Sequence, residues 1–377
     1  MVVDGLEVWA LTRDTDLRAA LTDRRFRRNW RHWTALTSGE VPEDHPVAAM
    51  VHLDNMLTAD GDEHRRLRGL ISQAFTRARI AALRPAVEAI ARGLLDGLAA
   101  EPGPVDLKAH YAYPLSMAVF GALFGIGEAD HDRIRQMVTV AFSTAPPEQV
   151  RAMRAEVTAY LDELIATKQD EPGEDVVSAL LRAREQGDRL GDAELRDTLW
   201  LLLTAGFETT ASALVNAIAA LLDRPDQMTA VQGGLLELPA VVEESLRQAS
   251  SVAALPFLFA AEDITIAGRT IATGEPVLLA YLAANRDTAH YGRDAEEFDA
   301  TRRRPRHLGL GHGPHICLGA ALARLELQIG LAALVARFPD LRRTKAPPPV
   351  ASVFIHSPAG LPVHLTATAR VETGSTP

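Results

Sequence analysis

A chain of 377 residues, 47% hydrophobic and carrying a formal net charge of -10, has apolar material for a large core and the wrong charge for general nucleic-acid affinity. Its single cysteine excludes an internal disulfide framework, and the opening MVVDGLEVW lacks the basic start, apolar stretch and cleavage site of a secretory leader. No linker, repeat or low-complexity stretch divides the sequence, so residues 1–377 are expected to form one domain in the cytoplasm.

In chain order, LEVWALT alternates as a strand, and Asp14 or Thr15 is placed to cap a following helix. DRRFRRNWRHW then clusters Arg24, Arg25, Arg27, Arg28 and Arg31 with Phe26, Trp30 and Trp33. The plain reading is a charged helix end leading into a loop. The other readings are an anion-binding patch for substrate or carrier and, more remotely, a nucleic-acid contact. From His64 to Ser250 helical periodicity dominates. In ADGDEHRRLRGLISQAFT, His64 and Arg68 stand one turn apart and so lie side by side, with Leu67, Leu70, Ile71 and Phe75 on the apolar face. Alone, this is the ordinary solvated face of an amphipathic helix.

The run LWLLLTAGFETTASALVNAIAALL is long enough to cross a membrane, but Glu208 near its middle would be costly in lipid, which favours a helix buried through the centre of a globular protein. Gly206 within it costs about 1 kcal/mol against alanine, and Thr209 and Thr210 can bond back to carbonyls one turn earlier. Further on, Glu244 and Arg247 of VVEESLRQ lie three apart on one helix face, a pattern most often worth little at a surface. ITIAGRTI, PVLLAYLAANR, SVFIHS and LPVHLTA look like strands of small sheets, with a hairpin turn at Ala267 to Arg269. The fold class is therefore mainly α with minor β.

The last motif is LGLGHGPHICLGAALARLE, a glycine-rich loop opening into a helix predicted over Ala320 to Arg337. Gly309, Gly311, Gly313 and Gly319 let the backbone approach a flat ligand, and the first amides of the helix point their positive end at Cys317, a setting expected to favour thiolate. A lone cysteine is otherwise most often a buried structural residue. A transition-metal site of His312, His315 and Cys317 is the rival reading, and it lacks a fourth ligand nearby.

Taken together, these motifs resemble the cytochrome P-450 superfamily, whose haem loop reads Phe-Gly-x-Gly-x-x-x-Cys-x-Gly. Gly311, Gly313, His315, Cys317 and Gly319 match it, while Leu310 stands where the family has phenylalanine. The resemblance implies a triangular helical prism with small side sheets and haem b bound through Cys317. His64, Arg68 and His315 would then lie at the haem propionates, and Ala205, Gly206, Leu310, Gly311 and Gly319 would lie against the ring. It implies that Glu208 and Thr209 are the acid and alcohol that deliver protons to dioxygen. Glu244 and Arg247, joined by Arg302, would form an internal brace for the cysteine loop. Two departures stand out. The family often carries a further propionate arginine where this chain has Phe257 or Leu258, and the family's opening helix is expected to be absent before DGLEVWALT.

The resemblance further implies a monooxygenase fed with electrons from NAD(P)H through an external reductase and ferredoxin, acting as a monomer on a small molecule without membrane or nucleic acid. Arg65, Arg66 and Arg324 would dock the acidic ferredoxin. Met50, Met56, Phe142, Phe207, Val252, Phe257 and Phe354 are the expected substrate-pocket residues, suited to an apolar multi-ring, macrolide or peptide-like secondary metabolite. The scarcity of lysine, found only at Lys108, Lys168 and Lys345 beside abundant arginine, fits a high-GC bacterial source. Oxidative coupling or ring closure on the same scaffold is the alternative chemistry, and a haem-binding or recruitment module without turnover is the alternative of another class.

Overall fold

A computed structural model of the chain describes residues 1–101, 103–143, 145–185, 190–303 and 306–365. Helices dominate it. The central one runs from Asp192 to Leu222 and its most apolar window is 67% buried, as expected of a core helix. It is not continuous: Asp192–Gly206 and Glu208–Leu222 are separate helices meeting at Phe207, whose φ of -112° departs from helical geometry. A Cβ on Gly206 would collide with the Phe120 ring, so glycine is needed there for the close approach of helix Tyr113–Phe124.

Around Glu208–Leu222 pack Tyr113–Phe124, Leu238–Gln248 and Ala320–Arg337, with Arg84–Leu98 laid against the first and last of these three, and the facing side chains, among them Leu115, Leu214, Ile218, Leu246 and Leu331, form the largest core cluster. The helix Ala320–Arg337 has the predicted boundaries. A second cluster joins the first half of the central helix to Gly61–Ser72, His131–Ala141 and Pro147–Asp170.

The sheets are small and lie to the side. One has the order Trp9–Leu11, Pro276–Leu279, Leu255–Ala260, Phe26–Arg27, with the first pair parallel, the others antiparallel, and a register irregularity between Leu255 and Leu258. Another joins Arg342–Arg343, Pro362–His364 and Pro104–Asp106. Ile264–Ile266 and Arg269–Ile271 form the expected hairpin, its turn made by Ala267 and Gly268 at φ of 50° and 75°.

Three local expectations change. PVLLAYLAANR is a strand only to Leu279, because Tyr281–Asn285 turns helical and the buried Asn285 amide ties it to Ser250 Oγ at 2.7 Å. SVFIHS contributes only an isolated bridge, Ile355 to Val252. The helix after the first strand is Asp14–Thr22 with Arg13 at its cap, since the Asp14 carboxylate is taken by Arg18 at 2.7 Å. Of LPVHLTA, Pro362–His364 is a strand, and Thr366 and Ala367 lie outside the described residues.

Candidate active site

The cysteine loop is a tight backbone construction. Cys317 N–H donates to Leu310 O and Gly311 N–H to Leu308 O, both at 2.8 Å. Gly311 and Gly313 sit at φ of +77° and +72°, in the left-handed region that other residues rarely adopt, and a Cβ on Gly309 would strike the Leu246 carbonyl. Cys317 is thereby set deep within the protein, yet its side chain is bare where it meets an internal cavity of about 580 Å³. Burial pushes its thiol up, against the lowering effects of the Gly319 N–H, Arg68 and Arg324. The expected preference for thiolate is thus not a property of the polypeptide alone: the helix terminus is outweighed by desolvation, and only a bound cation would deprotonate the sulfur outright.

Above that floor the cavity is walled by the break in the central helix, through Ala205, Gly206, Thr209 and Thr210, and by Met50, Met56, Phe142, Val252 and Phe354. Leu310, Gly311, His315 and Gly319 belong to its floor. Two expected pocket residues do not line it. Phe207 is fully buried against Phe120 and Tyr113, with ring centroids 6.0 and 6.5 Å away, because the helix break turns it away from the cavity. Phe257 packs edge-on against Trp33 at 5.4 Å on the far side of its strand, leaving Leu255 and Pro256 to face the cavity.

Thr209 and Glu208 are neighbours in sequence but face different ways. The Thr209 hydroxyl is at the cavity wall, bonded back to Ala205 O at 2.8 Å. Glu208 does not line the cavity: its carboxylate accepts from the Tyr113 phenol and from Ser212 Oγ, the latter at 3.1 Å. Burial, with the nearby Glu208 carboxylate, pushes the Tyr113 phenol up and keeps it a donor. Tyr113 also borders a second cavity, lined by Lys108, His131, Asp132 and Arg135, that Cys317 does not reach.

At the cavity edge the His64 ring lies against that of His315, centroids 4.0 Å apart, and Arg68 Nη2 reaches Ile316 O at 2.7 Å. Among the described residues the buried His64 Nε2 has no partner. Burial, reinforced by Arg28, His64 and Arg68, pushes the His315 imidazole down to about 2, and burial with Arg68 and Arg28 likewise lowers His64. Behind the loop, Glu244 and Arg247 form a bidentate pair at 2.7 and 2.8 Å, both at most 1% exposed, and Arg247 also donates to the carbonyls of Asn285, Ala295 and Glu297. Arg302 completes the triad more loosely, 3.5 Å from Glu244, its stronger partner being Asp294 at 2.9 Å.

Sequence reasoning passed over two polar residues. Glu326 lines the cavity fully buried, with Oε2 unpartnered, and burial pushes its carboxyl up to about 8 against the opposing Ser116 hydrogen bond. Its position on the apolar stripe of Leu322, Leu325 and Ile329 was the available signal. Arg28 is buried too, and nothing in sequence set it apart from the arginines around it. The rival metal site is not assembled, since no three His, Cys, Asp or Glu side chains among the described residues converge on one point. Arg65, Arg66 and Arg324 are ion-paired to Asp62, Glu194 and Glu243.

A sulfur at the floor of a mostly apolar cavity, with basic groups at its edge, is matched by sequence comparison. The sequence profile described as Cytochrome P450 covers residues 141–352. The chain belongs to the cytochrome P450 family. Cytochrome P450 107B1 of Saccharopolyspora erythraea is 40% identical over 347 residues, covering 92% of this chain and 85% of that protein. Mycinamicin IV hydroxylase/epoxidase of Micromonospora griseorubida is 40% identical over 90% of this chain and 84% of its own. The solved structure of CYP154A1 from Streptomyces coelicolor superposes with a TM-score of 0.92 at 43% identity, covering 97% of this chain and 93% of that one. The fold is the P450 fold, and the chain is a P450 monooxygenase with relatives in bacterial secondary metabolism. The family's cofactor, haem, fits the residues present: the bare sulfur of Cys317 offers one soft ligand, the glycine loop leaves room for a planar ring, and the unpartnered His64 Nε2 awaits an acceptor.

Proposed function

We propose that this P450 inserts one oxygen atom from O2 into an apolar multi-ring or macrolide-like secondary metabolite, with electrons supplied from NAD(P)H through an external reductase and a ferredoxin. Haem b, bound through Cys317 with its propionates at His64, Arg68 and His315, supplies the oxygen-activating chemistry. The observation that carries this reading is the meeting of the Cys317 sulfur and the Thr209 hydroxyl in one mostly apolar cavity whose wall also carries Met50, Met56, Phe142, Val252 and Phe354. Such a lining takes an apolar substrate and excludes water from the reacting side. The macrolide reading draws support from the name of the mycinamicin relative.

The chain's own groups divide the work. Thr209 presents a hydroxyl to the reacting space and can hand on a proton from it. Glu208, turned away, holds the proton reserve and is refilled through Tyr113 from the second cavity. Glu244, Arg247 and Arg302 hold the loop that carries Cys317. The Arg65 pair with Asp62 is fully solvated, so Arg65 is free to exchange partners with an acidic ferredoxin at small cost. The enzyme works as a cytoplasmic monomer.

A library of macrolides, polycyclic aromatics and peptides, screened for substrate-induced spin-state shifts, tests the substrate class. Turnover of a hit with a ferredoxin system should give a product heavier by one oxygen. Thr209→Ala should bind the same hit and divert most reducing equivalents to hydrogen peroxide. A product lighter by hydrogens, with no oxygen gained, contradicts the proposed insertion chemistry, and full coupling in Thr209→Ala contradicts the proton role.

A further inference from the structure

Arg28 is out of place as a structural residue. It is 4% exposed, its Nη1 has no hydrogen-bond partner, and among the described residues its guanidinium pairs with no carboxylate. Asp60, the acid that reaches this segment from the start of the helix Gly61–Ser72, is occupied elsewhere: its oxygens accept the backbone N–H groups of Arg28 and Asn29 at 3.0 to 3.1 Å. A guanidinium cannot shed its charge, and burying it unpaired is expensive. Around it stand further hydrogen-bonding groups and one more positive charge, Arg68. Arg28 bears on His64 and His315 through its charge and on the buried Tyr281 phenol through its charge and a hydrogen bond, which leaves Nη1 over; Tyr281 and His315 line the cavity, as does Arg68. The His64 Nε2 beside them is orphaned as well.

The strand register explains how a charge arrives there. Phe26–Arg27 pairs with the end of Leu255–Ala260, Phe26 opposite Ala260 and Arg27 opposite Phe259, so the chain leaves the sheet at Arg28 beside Leu258. Leu258 and Phe257 are buried among apolar neighbours and offer no polar atom to the cavity edge. The short edge strand brings the cation to a place where the longer strand has none.

We infer that Arg28 is a haem-propionate ligand of this enzyme, forming with His64, Arg68 and His315 the anion site at the cavity edge. The inference rests on the reading of Cys317 as the haem ligand. A carboxylate would satisfy Nη1 by a charge-assisted bond and remove an unpaired buried charge.

The test uses the holoenzyme. Haem transfer to excess apomyoglobin is followed at the Soret band, and backbone unfolding of the same samples is followed by far-ultraviolet circular dichroism. Arg28→Leu should release haem at least about tenfold faster than the wild type, a loss of the size expected for one charge-assisted bond, while the holoprotein unfolds at a similar rate. Arg28→Lys, which keeps the charge but not the fork, should fall between. Resonance Raman should show the propionate bending bands shifted in Arg28→Leu. An unchanged haem-loss rate overturns the inference, and so does a loss that merely tracks faster unfolding with unshifted propionate bands. Failure of the underlying reading would look different: no thiolate-type spectrum in the wild type at all.

Discussion

Two polar clusters border the cysteine loop, and they are built to opposite rules. At Glu244 and Arg247 every charge is answered: the pair is bidentate, and three main-chain carbonyls take up further Arg247 donors. At the other, Arg28 and Arg68 share one sign, His64 and His315 are pushed toward the neutral form by burial and by those arginines, and among the described residues Arg28 Nη1 and His64 Nε2 have no partner. Because buried polar groups in native proteins are almost always satisfied, the first cluster reads as internal framework and the second as half of a site whose other half is a ligand.

The contrast between the two clusters fails first if Glu244 and Arg247 prove dispensable. Arg247→Ala strands the Glu244 carboxylate in the core and leaves three carbonyls unpaired, so the holoprotein should lose about 3 to 5 kcal/mol of stability or fail to accumulate, as denaturant titration would show. A loss of under 1 kcal/mol would mean that the satisfied cluster is no framework. Arg28→Leu, by contrast, is expected to act on haem retention more than on unfolding.

A smaller and pH-dependent effect sharpens the same rule at Glu326, a buried acid with no ionic partner. Its carboxyl is raised from 4.5 to about 8, so the folded chain holds a proton that the unfolded chain gives up above 4.5. Its contribution is present below pH 4.5 and is lost as pH rises toward 8, and stability should fall across that window. Glu326→Gln cannot ionise, and its thermal melting temperature relative to wild type should rise steadily between those pH values, by the equivalent of about 1 to 4 kcal/mol at the alkaline end. A constant difference across the window would show that Glu326 is not held neutral.

The parts of the site legible in sequence were those that are local in the chain. The glycine spacing around Cys317, the helix Ala320–Arg337 and the adjacency of His64 and Arg68 follow from neighbours within a turn or a loop. What sequence could not supply was direction. The break at Phe207 swings Phe207 and Glu208 away from the cavity while leaving Thr209 on it, and that break depends on how closely Phe120 approaches Gly206. Phe257 faces Trp33 instead of the cavity, on a strand whose register is irregular between Leu255 and Leu258. Arg28 became distinct only through a pairing with a strand more than two hundred residues later. The fold class, by contrast, was carried by long helical periodicities that survive such local turns.

Cys317 would hold the haem iron through its sulfur, and the spectrum of the reduced, carbon monoxide-bound protein reads that bond. Wild type should show the Soret maximum of thiolate ligation and Cys317→Ala should lose it, with the two proteins otherwise alike in far-ultraviolet circular dichroism. A wild-type maximum at the position of imidazole ligation, or a thiolate-type maximum that persists in Cys317→Ala, would contradict the account.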